Sequence, residues 1–423
     1  MHETEKEIER VILCGVHTGS LNILEDTDEE SMAELRFLAD TAKAEVVGEM
    51  IQNKDHPEAS TYFGEGKIEE LRAYAEALDA TLLIFDDELT GSQIRNIENY
   101  THVRTIDRSM LILDIFAQRA ISKEGKIQVE LAQLKYNLPR LSGIGGQLSR
   151  LGGGIGTRGP GETKLESDKR HIHRRINALE DELREIQLHR DLLRERRTKE
   201  SAAVCALVGY TNAGKSTILN YFTDSKVLAA NMLFATLDPT VRKLDLPDGR
   251  NAVIVDTVGF IRKLPHHLIE AFKSTLDEAV MADVIVHVID SSNPEMHTQM
   301  KIVDKIISEL GCRATRIIAA FNKCDIAQPL SPRPEGNYTD FVSLSAKTGE
   351  GMDELIELLS DALPGKKREI TVLIPYSDSR TAAVLHDGEV ILSEDYEADG
   401  TKITLLADSS LYAHLKEYIV EEK

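Results

Sequence analysis

Features that would place the chain in a membrane or on an export route are missing from its sequence. No apolar run approaches the roughly 20 residues that a bilayer-spanning helix needs. Met1–Arg10 is rich in glutamate and lacks the apolar core of a secretory signal and the arginine-rich pattern of a transit peptide. We therefore expect a soluble, cytoplasmic protein, and the hydrophobic fraction of 42% and the charged fraction of 29% are ordinary for that class.

Cysteine is also scarce. The four cysteines, Cys14, Cys205, Cys312 and Cys324, lie too far apart for metal-ligand spacing. Cys205 lies within an apolar strand pattern, where burial explains a cysteine well. This usage fits a reducing compartment.

Positive charge is in deficit over most of the chain. Lysine and arginine number 50 against 71 aspartates and glutamates, and the net charge of -21 on average repels nucleic acid. Residues 131–200 differ, because they carry 15 basic and 10 acidic residues, a net charge of +5, whereas the rest of the chain carries -26. One positive region therefore stands on an acidic protein.

The chain is too long for one ordinary core, since domains usually run to about 100–200 residues, and three folded units are expected. Residues 1–141 alternate apolar runs with amphipathic stretches, which predicts an α/β domain. Residues 142–200 contain a glycine-rich loop and then a helical connector. Residues 201–364 predict a mainly parallel sheet with helices on both faces, and residues 365–423 predict a small α+β domain.

Apolar runs place the individual strands, and longer periodic patterns place the helices. Strands are expected at 11–16, 44–50, 80–85, 204–208, 253–255, 284–289, 317–321, 341–344 and 370–374, with two more joined near Asp399-Gly400. Helical segments are expected at 30–42, 66–78, 107–141 and 162–200, the third ending at the Pro139-Arg140 break, and a last helix ends the final segment. The fourth could be one long helix or a helical hairpin that pairs within the chain.

A phosphate-binding P-loop carries the strongest functional signal. The motif Gly209-Tyr-Thr-Asn-Ala-Gly-Lys-Ser216 follows a predicted strand and precedes a helix, which is the context that a P-loop requires. Its backbone amides would surround the β-phosphate, Lys215 would reach the β- and γ-oxygens, and Ser216 would bind Mg²⁺. The nucleotide-binding residues expected here are Gly209, Tyr210, Thr211, Asn212, Ala213, Gly214, Lys215, Ser216 and Thr217.

Two later motifs favour guanine over adenine. Asn322-Lys-Cys-Asp325 follows a predicted strand, and the Asp325 carboxylate can accept hydrogen bonds from N1 and the N2 amine of guanine, a pair of donors that adenine lacks. Asn322 would brace the P-loop, with Lys323 beside it. Ser345-Ala346-Lys347 would offer backbone amides to guanine O6. These motifs predict a GTP-binding protein.

The remaining motifs indicate hydrolysis. Asp256 ends a predicted strand and could hold Mg²⁺, and the Gly259 amide could meet the γ-phosphate. In the expected first switch, residues 234–240, Thr236 is preferred over Thr240 as the third Mg²⁺ ligand. The expected catalytic residues are Lys215, Thr236 and Gly259. Phe260 follows Gly259 and cannot orient a water, so slow intrinsic turnover is expected.

Asn212 lies in the middle of the P-loop, and its side chain has two alternative roles. Its side-chain carbonyl could help to hold a monovalent cation, K⁺, against the β- and γ-phosphates and so supply positive charge without an arginine finger. It could equally serve only to cap the loop.

With these motifs the chain resembles the HflX family of translational GTPases over nearly its whole length. Outside the nucleotide site the resemblance rests on residues 61–67 (TYFGEGK), 107–120 (DRSMLILDIFAQRA), 128–134 (QVELAQL) and 149–163 (SRLGGGIGTRGPGET), and inside it on 234–240 (FATLDPT) and 256–260 (DTVGF). The resemblance supports Thr236 as the switch threonine. It implies a GTPase that binds the large ribosomal subunit and its rRNA, dissociates stalled or idle ribosomes under stress, and is stimulated by the subunit.

The residues themselves agree with part of this expectation. Glycine lets a backbone approach phosphates closely, and five arginines of the positive region could each neutralise one: Arg150, Arg158, Arg170, Arg174 and Arg175. The alternative function is a large-subunit assembly factor that uses GTP as a timer, which would need the same motifs. A monomer is expected, and the absence of a lipidation signal disfavours a membrane-linked signalling GTPase.

Overall fold

The computed structural model describes residues 8–17, 28–140, 160–199, 203–223, 233–234, 238–265, 268, 273–312, 314, 316–326, 336–365, 368–378, 381, 385, 391–397, 399–407, 409–416 and 418–422. Within them the chain forms three separate sheets, one in each of the three predicted globular segments. The α/β class predicted from the sequence is confirmed, whereas the domain boundaries remain predictions. In this part of the chain no helix is long and apolar enough to span a bilayer.

The first sheet is parallel and four-stranded, in the order β2-β1-β3-β4, and its strands are β1 (Arg10–His17), β2 (Glu45–Asn53), β3 (Leu82–Phe85) and β4 (Arg104–Asp107). Its helices are α1 (Asp28–Thr41), α2 (Glu65–Ala77), α3 (Gly91–Thr101) and α4 (Arg108–Arg119). Alternate residues of β1 face opposite layers, so that Leu13 packs with α1 and α4 while Ile12 packs with α2 and α3.

The helical segment predicted over 107–141 is divided into α4 and α5 (Lys123–Arg140). Asp107 begins α4, because its carboxylate accepts the Met110 amide at 2.9 Å. The chain becomes extended at Ala120, and the Ser122 hydroxyl then accepts the Gly125 amide at 2.8 Å. Pro139 lies within the last turn of α5 and does not break it.

The connector is a single helix, α6 (Pro160–Lys199), rather than a hairpin. It packs against α5 through an apolar seam in which Ile176 and Leu179 meet Ile127 and Leu131. The two helices therefore pair within one chain, but the partner is α5 and not a second half of the connector, as the hairpin alternative expected. Most of the predicted glycine-rich loop lies outside the described residues.

The second sheet has six strands in the order β10-β9-β8-β5-β7-β6. These strands are β5 (Ala203–Gly209), β6 (Thr240–Asp245), β7 (Asn251–Asp256), β8 (Val284–Asp290), β9 (Arg316–Asn322) and β10 (Asp340–Ser343). The edge strand β6 runs antiparallel to β7, and the other pairs are parallel. The helices are α7 (Lys215–Thr223), α8 (Lys273–Val280), α9 (Met296–Leu310) and α10 (Met352–Ala362). Because α7 and α10 pack on one face and α8 and α9 on the other, the expected layering is confirmed.

The third sheet is antiparallel, in the order β12-β13-β11-β14, and comprises β11 (Arg368–Ile374), β12 (Ile391–Tyr396), β13 (Thr401–Ala407) and β14 (Ile419–Glu422). Helix α11 (Ser409–Leu415) packs on it through the buried Leu415. The sequence predicted a helix at the end of this segment. The structure adds β14 after that helix, because residues 419–422 pair with β11 along the sheet edge.

The first two sheets share one hydrophobic core. The buried Phe234, Phe260 and Ile261 of the second segment pack in the same cluster as α4. The rings of Phe116 and Phe234 lie 4.6 Å apart, edge to face. The expected first switch and the segment at residues 256–260, which we call the second switch, therefore lie at the contact between the first and second folded units.

Candidate nucleotide site

The P-loop connects β5 to α7, and two of its glycines are required by close contacts. Gly214 has a φ of +102°, and a Cβ there would lie 2.1 Å from Nδ2 of Asn322. Gly209 has a φ of +156°, and a Cβ there would lie 2.2 Å from the Val288 carbonyl oxygen. Only glycine permits this approach of the loop to its neighbours, so the strand-loop-helix context predicted for residues 209–216 is present.

Lys215 is buried at the first turn of α7. Its Nζ donates to the carbonyls of Gly209 at 3.1 Å and Tyr210 at 3.0 Å. Burial lowers the pKa of Lys215 to about 8, although the Asp256 carboxylate opposes that shift. A buried lysine whose ammonium is hydrogen-bonded to neutral carbonyl groups is suited to receive a phosphate anion.

Two of the three predicted Mg²⁺ ligands lie together. The Ser216 hydroxyl donates to Oδ2 of the fully buried Asp256 at 2.6 Å. Both groups offer the hard oxygen donors that Mg²⁺ prefers, so this pair fits the metal. The third predicted ligand, Thr236, lies outside the described residues. Thr240, its alternative, begins β6 and pairs with Asp256 across the strands.

The segment after Asp256 lies directly against the P-loop. A Cβ on Gly259 would lie 2.7 Å from Cα of Thr211 and 3.2 Å from Nζ of Lys215. Phe260 forms an isolated parallel bridge with Tyr210, since its amide donates to Gly209 at 3.1 Å and its carbonyl accepts from Thr211 at 2.7 Å. The Phe260 ring is buried in the shared core. This side chain therefore provides no polar group for an attacking water.

The two base-recognition motifs meet at the carboxyl ends of β9 and β10. The Asn322 side chain donates to the Ala213 carbonyl at 2.8 Å and accepts the Ala346 amide at 3.0 Å. The Ser345 amide donates to the Glu350 carbonyl at 2.9 Å, so the amides of Ser345 and Ala346 are already used within the protein. The role of this motif, including Lys347, at guanine O6 stays a prediction.

Lys323 and Asp325 follow Asn322 in a turn. Lys323 has a φ of +66°, and its Nζ donates to Oδ2 of Asp290 at 2.6 Å, which fixes the lysine stem at the end of β8. Asp325 is exposed and can accept a ligand. Asn212 also has a positive φ, +61°, in the P-loop, and its two alternative roles stay predictions.

The five arginines predicted to contact rRNA fall into three groups. Arg150 and Arg158 lie outside the described residues. Arg170 and Arg174 are exposed on α6. Arg175 forms a bidentate pair with Glu130 of α5, at 2.6 and 2.7 Å, and so helps to fasten α6 to α5.

The sequence reasoning missed a group of charged residues at the contact between the first two units. Arg108 is only 2% exposed and pairs with Glu34 at 2.5 Å and Asp86 at 2.8 Å. Lys263, which follows the second switch, pairs with the same Asp86 at 2.6 Å. Arg108 belongs to a quoted HflX motif, but no local pattern revealed its partners.

A mainly parallel sheet with a P-loop, a buried serine and aspartate pair that fits Mg²⁺, and a motif that predicts guanine recognition is typical of a P-loop GTPase. Three family profiles match the chain: "GTP-binding GTPase N-terminal" at residues 29–117, "GTP-binding GTPase Middle Region" at 119–197 and "50S ribosome-binding GTPase" at 204–323.

Curated relatives identify the family within this class. The chain is 48% identical over 420 residues to the GTPase HflX of Caldanaerobacter subterraneus subsp. tengcongensis, and the match covers 99% of this chain and 96% of the relative. It is 39% identical over 380 residues to the GTPase HflX of Escherichia coli strain K12, covering 89% of each chain. The chain belongs to the HflX family of GTPases and hydrolyses GTP to GDP and phosphate.

One solved structure to which the chain is similar is a GTP-binding protein from the hyperthermophilic archaeon Sulfolobus solfataricus in complex with GDP. It is 25% identical, the match covers 84% of this chain and 98% of that chain, and the TM-score is 0.44.

Proposed function

We propose that this GTPase binds the large ribosomal subunit through its rRNA and dissociates stalled or idle ribosomes, and that the ribosome stimulates hydrolysis. The observation that carries the proposal is the exposed pair Arg170 and Arg174, which stands on α6 within the one positive region of an acidic chain. Basic side chains of this kind neutralise phosphates, and the matched profile for a 50S ribosome-binding GTPase supports the same partner.

The proposed cycle begins with GTP. The γ-phosphate would contact Thr236 and Gly259, and the resulting order in both switches would favour the ribosome-bound state. The subunits would then separate, and hydrolysis would release the protein. Lys215 would stabilise charge on the transferred phosphoryl group throughout.

Mg²⁺ is the proposed cofactor, with Ser216, Asp256 and Thr236 as its protein ligands, and it would neutralise charge on the phosphates. K⁺ is proposed as a second cofactor near Asn212, because the buried Phe260 that follows Gly259 has no polar group with which to orient water. Hydrolysis in potassium buffer should exceed hydrolysis in sodium buffer, and equal rates for the wild type would remove the K⁺ proposal.

The deciding measurement is the GTP hydrolysis rate at fixed magnesium with and without purified 50S subunits. Replacing Arg170 and Arg174 by glutamate should reduce the stimulation by about tenfold or more and should leave the rate without subunits unchanged. Arg184→Glu is the matched control, since Arg184 is an exposed arginine farther along the same helix. Lys215→Ala should abolish activity in both conditions, and full activity in that variant would contradict the P-loop assignment.

The result separates two conclusions. Stimulation that depends on Arg170 and Arg174 but not on Arg184 supports a ribosomal partner reached through α6. Normal GTP binding without stimulation would mean that the ribosome is the wrong partner, although the GTPase site would stand.

Ribosome splitting is distinguished from the alternative, a large-subunit assembly factor that uses GTP as a timer, by light scattering. Intact ribosomes mixed with the protein and GTP should scatter less as they dissociate, whereas an unchanged signal favours assembly. We further propose that the protein acts as a monomer in the cytoplasm. Sedimentation that shows a dimer at micromolar concentration would contradict the monomer.

A further inference from the structure

The side chain of Tyr210 leaves the P-loop and enters the contact between the first two folded units. Its hydroxyl accepts a hydrogen bond from the Arg262 amide at 2.7 Å and donates one to Oε2 of Glu34 at 2.6 Å. Tyr210 is only 5% exposed. Burial raises the pKa of Tyr210, and the neighbouring Glu34 raises it further, so the phenol keeps the proton that it donates.

Arg262 lies three residues after Gly259, the residue expected to meet the γ-phosphate. The chain between them is short and tightly held, because Phe260 is bridged to the P-loop and Ile261 is buried in the shared core. The Tyr210 hydroxyl therefore holds the far end of the segment that carries the Gly259 amide.

The first folded unit holds the same segment at further points. The Arg108 guanidinium donates to the Arg262 carbonyl at 3.3 Å. Lys263 donates to Asp86 at 2.6 Å and to Asp87 at 2.9 Å. Arg262 pairs with Glu30 at 3.0 Å.

Glu34 connects these contacts to Tyr210. One of its oxygens accepts from Arg108 and the other from Tyr210. Burial alone would raise the pKa of Asp86, but Arg108 and Lys263 outweigh it and lower that pKa, so Asp86 is held in its charged form. Burial raises the pKa of Glu34, and Arg108 and the hydrogen bond from Tyr210 oppose that rise. Hydrogen bonds to charged groups in a buried setting are the stronger ones, and such a network resists small displacements.

We propose that Tyr210 is a positioning residue for GTP hydrolysis, which sets the Gly259 amide by holding Arg262 and takes its own position from Glu34. The position of the second switch thus depends on the first folded unit as well as on the nucleotide. This role goes beyond the proposed ribosomal function and rests only on GTP hydrolysis, because it is tested without ribosomes.

Tyr210→Phe removes the hydroxyl and keeps the ring and the P-loop backbone. We expect kcat/KM for intrinsic GTP hydrolysis to fall by about tenfold, as one buried hydrogen bond at the transition state would give. The Kd for GDP should stay within about twofold of the wild type, because GDP has no γ-phosphate for Gly259 to meet. A lower kcat/KM with an unchanged Kd for GDP separates a positioning role from a general disruption of the nucleotide site.

Tyr338→Phe is the matched control. The Tyr338 hydroxyl also donates to a carboxylate, that of Asp304, and lies 2.8 Å from a ring nitrogen of His287, but these partners are all in the second folded unit. Its loss should leave kcat/KM unchanged. A similar fall in this variant would overturn the proposal, since any lost tyrosine hydroxyl would then have the same effect.

Glu34→Gln tests the dependence on the first folded unit and also serves if Tyr210→Phe does not fold. It should lower kcat/KM in the same direction, because an amide has one acceptor oxygen where the carboxylate offers one to Tyr210 and another to Arg108. The two effects should be less than multiplicative in the double variant, because Tyr210→Phe already removes the hydroxyl that Glu34 holds. An unchanged kcat/KM in Tyr210→Phe would overturn the proposal, and Glu34→Gln decides this point if Tyr210→Phe does not fold. A loss of GDP affinity as large as the loss of kcat/KM would also overturn it. So would effects of the two variants that multiply in the double variant.

Discussion

Asn322 donates a 2.8 Å hydrogen bond to the carbonyl of Ala213 and thereby joins the motif predicted to recognise guanine to the P-loop. The same side chain accepts the Ala346 amide at 3.0 Å. One buried amide therefore links three loops that follow three different strands. Its two bonds explain why the loops hold a common geometry although Ala213 lies 109 positions from Asn322 in sequence and Ala346 lies 24 positions from it.

Asn322→Ala should weaken the binding of GDP and GTP equally. The change leaves the Ala213 carbonyl and the Ala346 amide without their partner, at a cost of roughly 1–3 kcal/mol, or about 5- to 150-fold in affinity. Calorimetric titration with each nucleotide measures this. Asn293→Ala is the control, since Asn293 only accepts a neighbouring amide at 2.8 Å before α9. Unchanged GDP affinity in Asn322→Ala would show that nucleotide binding does not need the two hydrogen bonds of the Asn322 side chain.

Asp325→Asn should move base preference from guanine toward xanthine. The exposed carboxylate is expected to accept from N1 and N2 of guanine, and an amide that faces the ring with donors would lose those bonds and gain one to the xanthine 2-oxo group. Competition of GDP and XDP for the purified protein gives the ratio. Asp353→Asn, an acid in the first turn of α10, is the control. If Asp325→Asn binds GDP as the wild type does, the base lies elsewhere.

Most of the fold could be predicted because the central strands are continuous apolar runs. Strand β8 is a clear case, with six of its seven residues buried. The elements missed were short or polar. Strand β6 is a sheet edge in which only Leu244 is buried, and β4 has four residues, so neither shows a readable alternation.

The candidate site also contains residues that a local pattern predicts and residues that no local pattern predicts. Gly209, Lys215, Ser216 and Asn322 were predicted because each belongs to a local motif whose spacing reflects its chemistry. The Tyr210 hydroxyl was not, since its partner Glu34 lies 176 positions away. Tertiary partners of this kind depend on how two folded units meet, which no local pattern specifies.

Asp238→Ala should loosen the start of α5. The Asp238 carboxylate accepts the amides of Ile121 at 3.1 Å and Ser122 at 2.9 Å, together with the Ser122 hydroxyl. Losing such a cap costs about 1–2 kcal/mol and should lower Tm by a few degrees. Thermal unfolding and amide exchange at the start of α5 measure both effects. Asp245→Ala, at an exposed pair with Lys243, is the control, and an unchanged Tm for Asp238→Ala would contradict the cap.

His287 should make the stability of the second folded unit depend on pH. It is buried in β8, and the Tyr338 hydroxyl, which donates to Asp304 at 2.8 Å, lies 2.8 Å from its Nδ1, so Nδ1 is the ring nitrogen that carries the proton. Burial lowers the pKa of His287 below its usual 6.5, Lys215 adds to this shift, and Asp304 opposes it.

The sign of the effect follows from the lowered pKa. Below pH 6.5 the unfolded chain binds a proton at this histidine before the folded chain does, so wild-type stability falls as pH drops through 6.5 toward the lowered folded-state pKa. His287→Asn cannot titrate and lacks this loss. Its destabilisation relative to the wild type should therefore shrink between pH 7.5 and pH 5.5, by up to about 1.4 kcal/mol in total, because pH 5.5 lies one unit below 6.5. Urea unfolding at both pH values measures the difference, with the exposed His102→Asn as control. A penalty for His287→Asn that stays constant or grows at pH 5.5 would show that His287 is protonated as readily in the folded protein as in the unfolded chain.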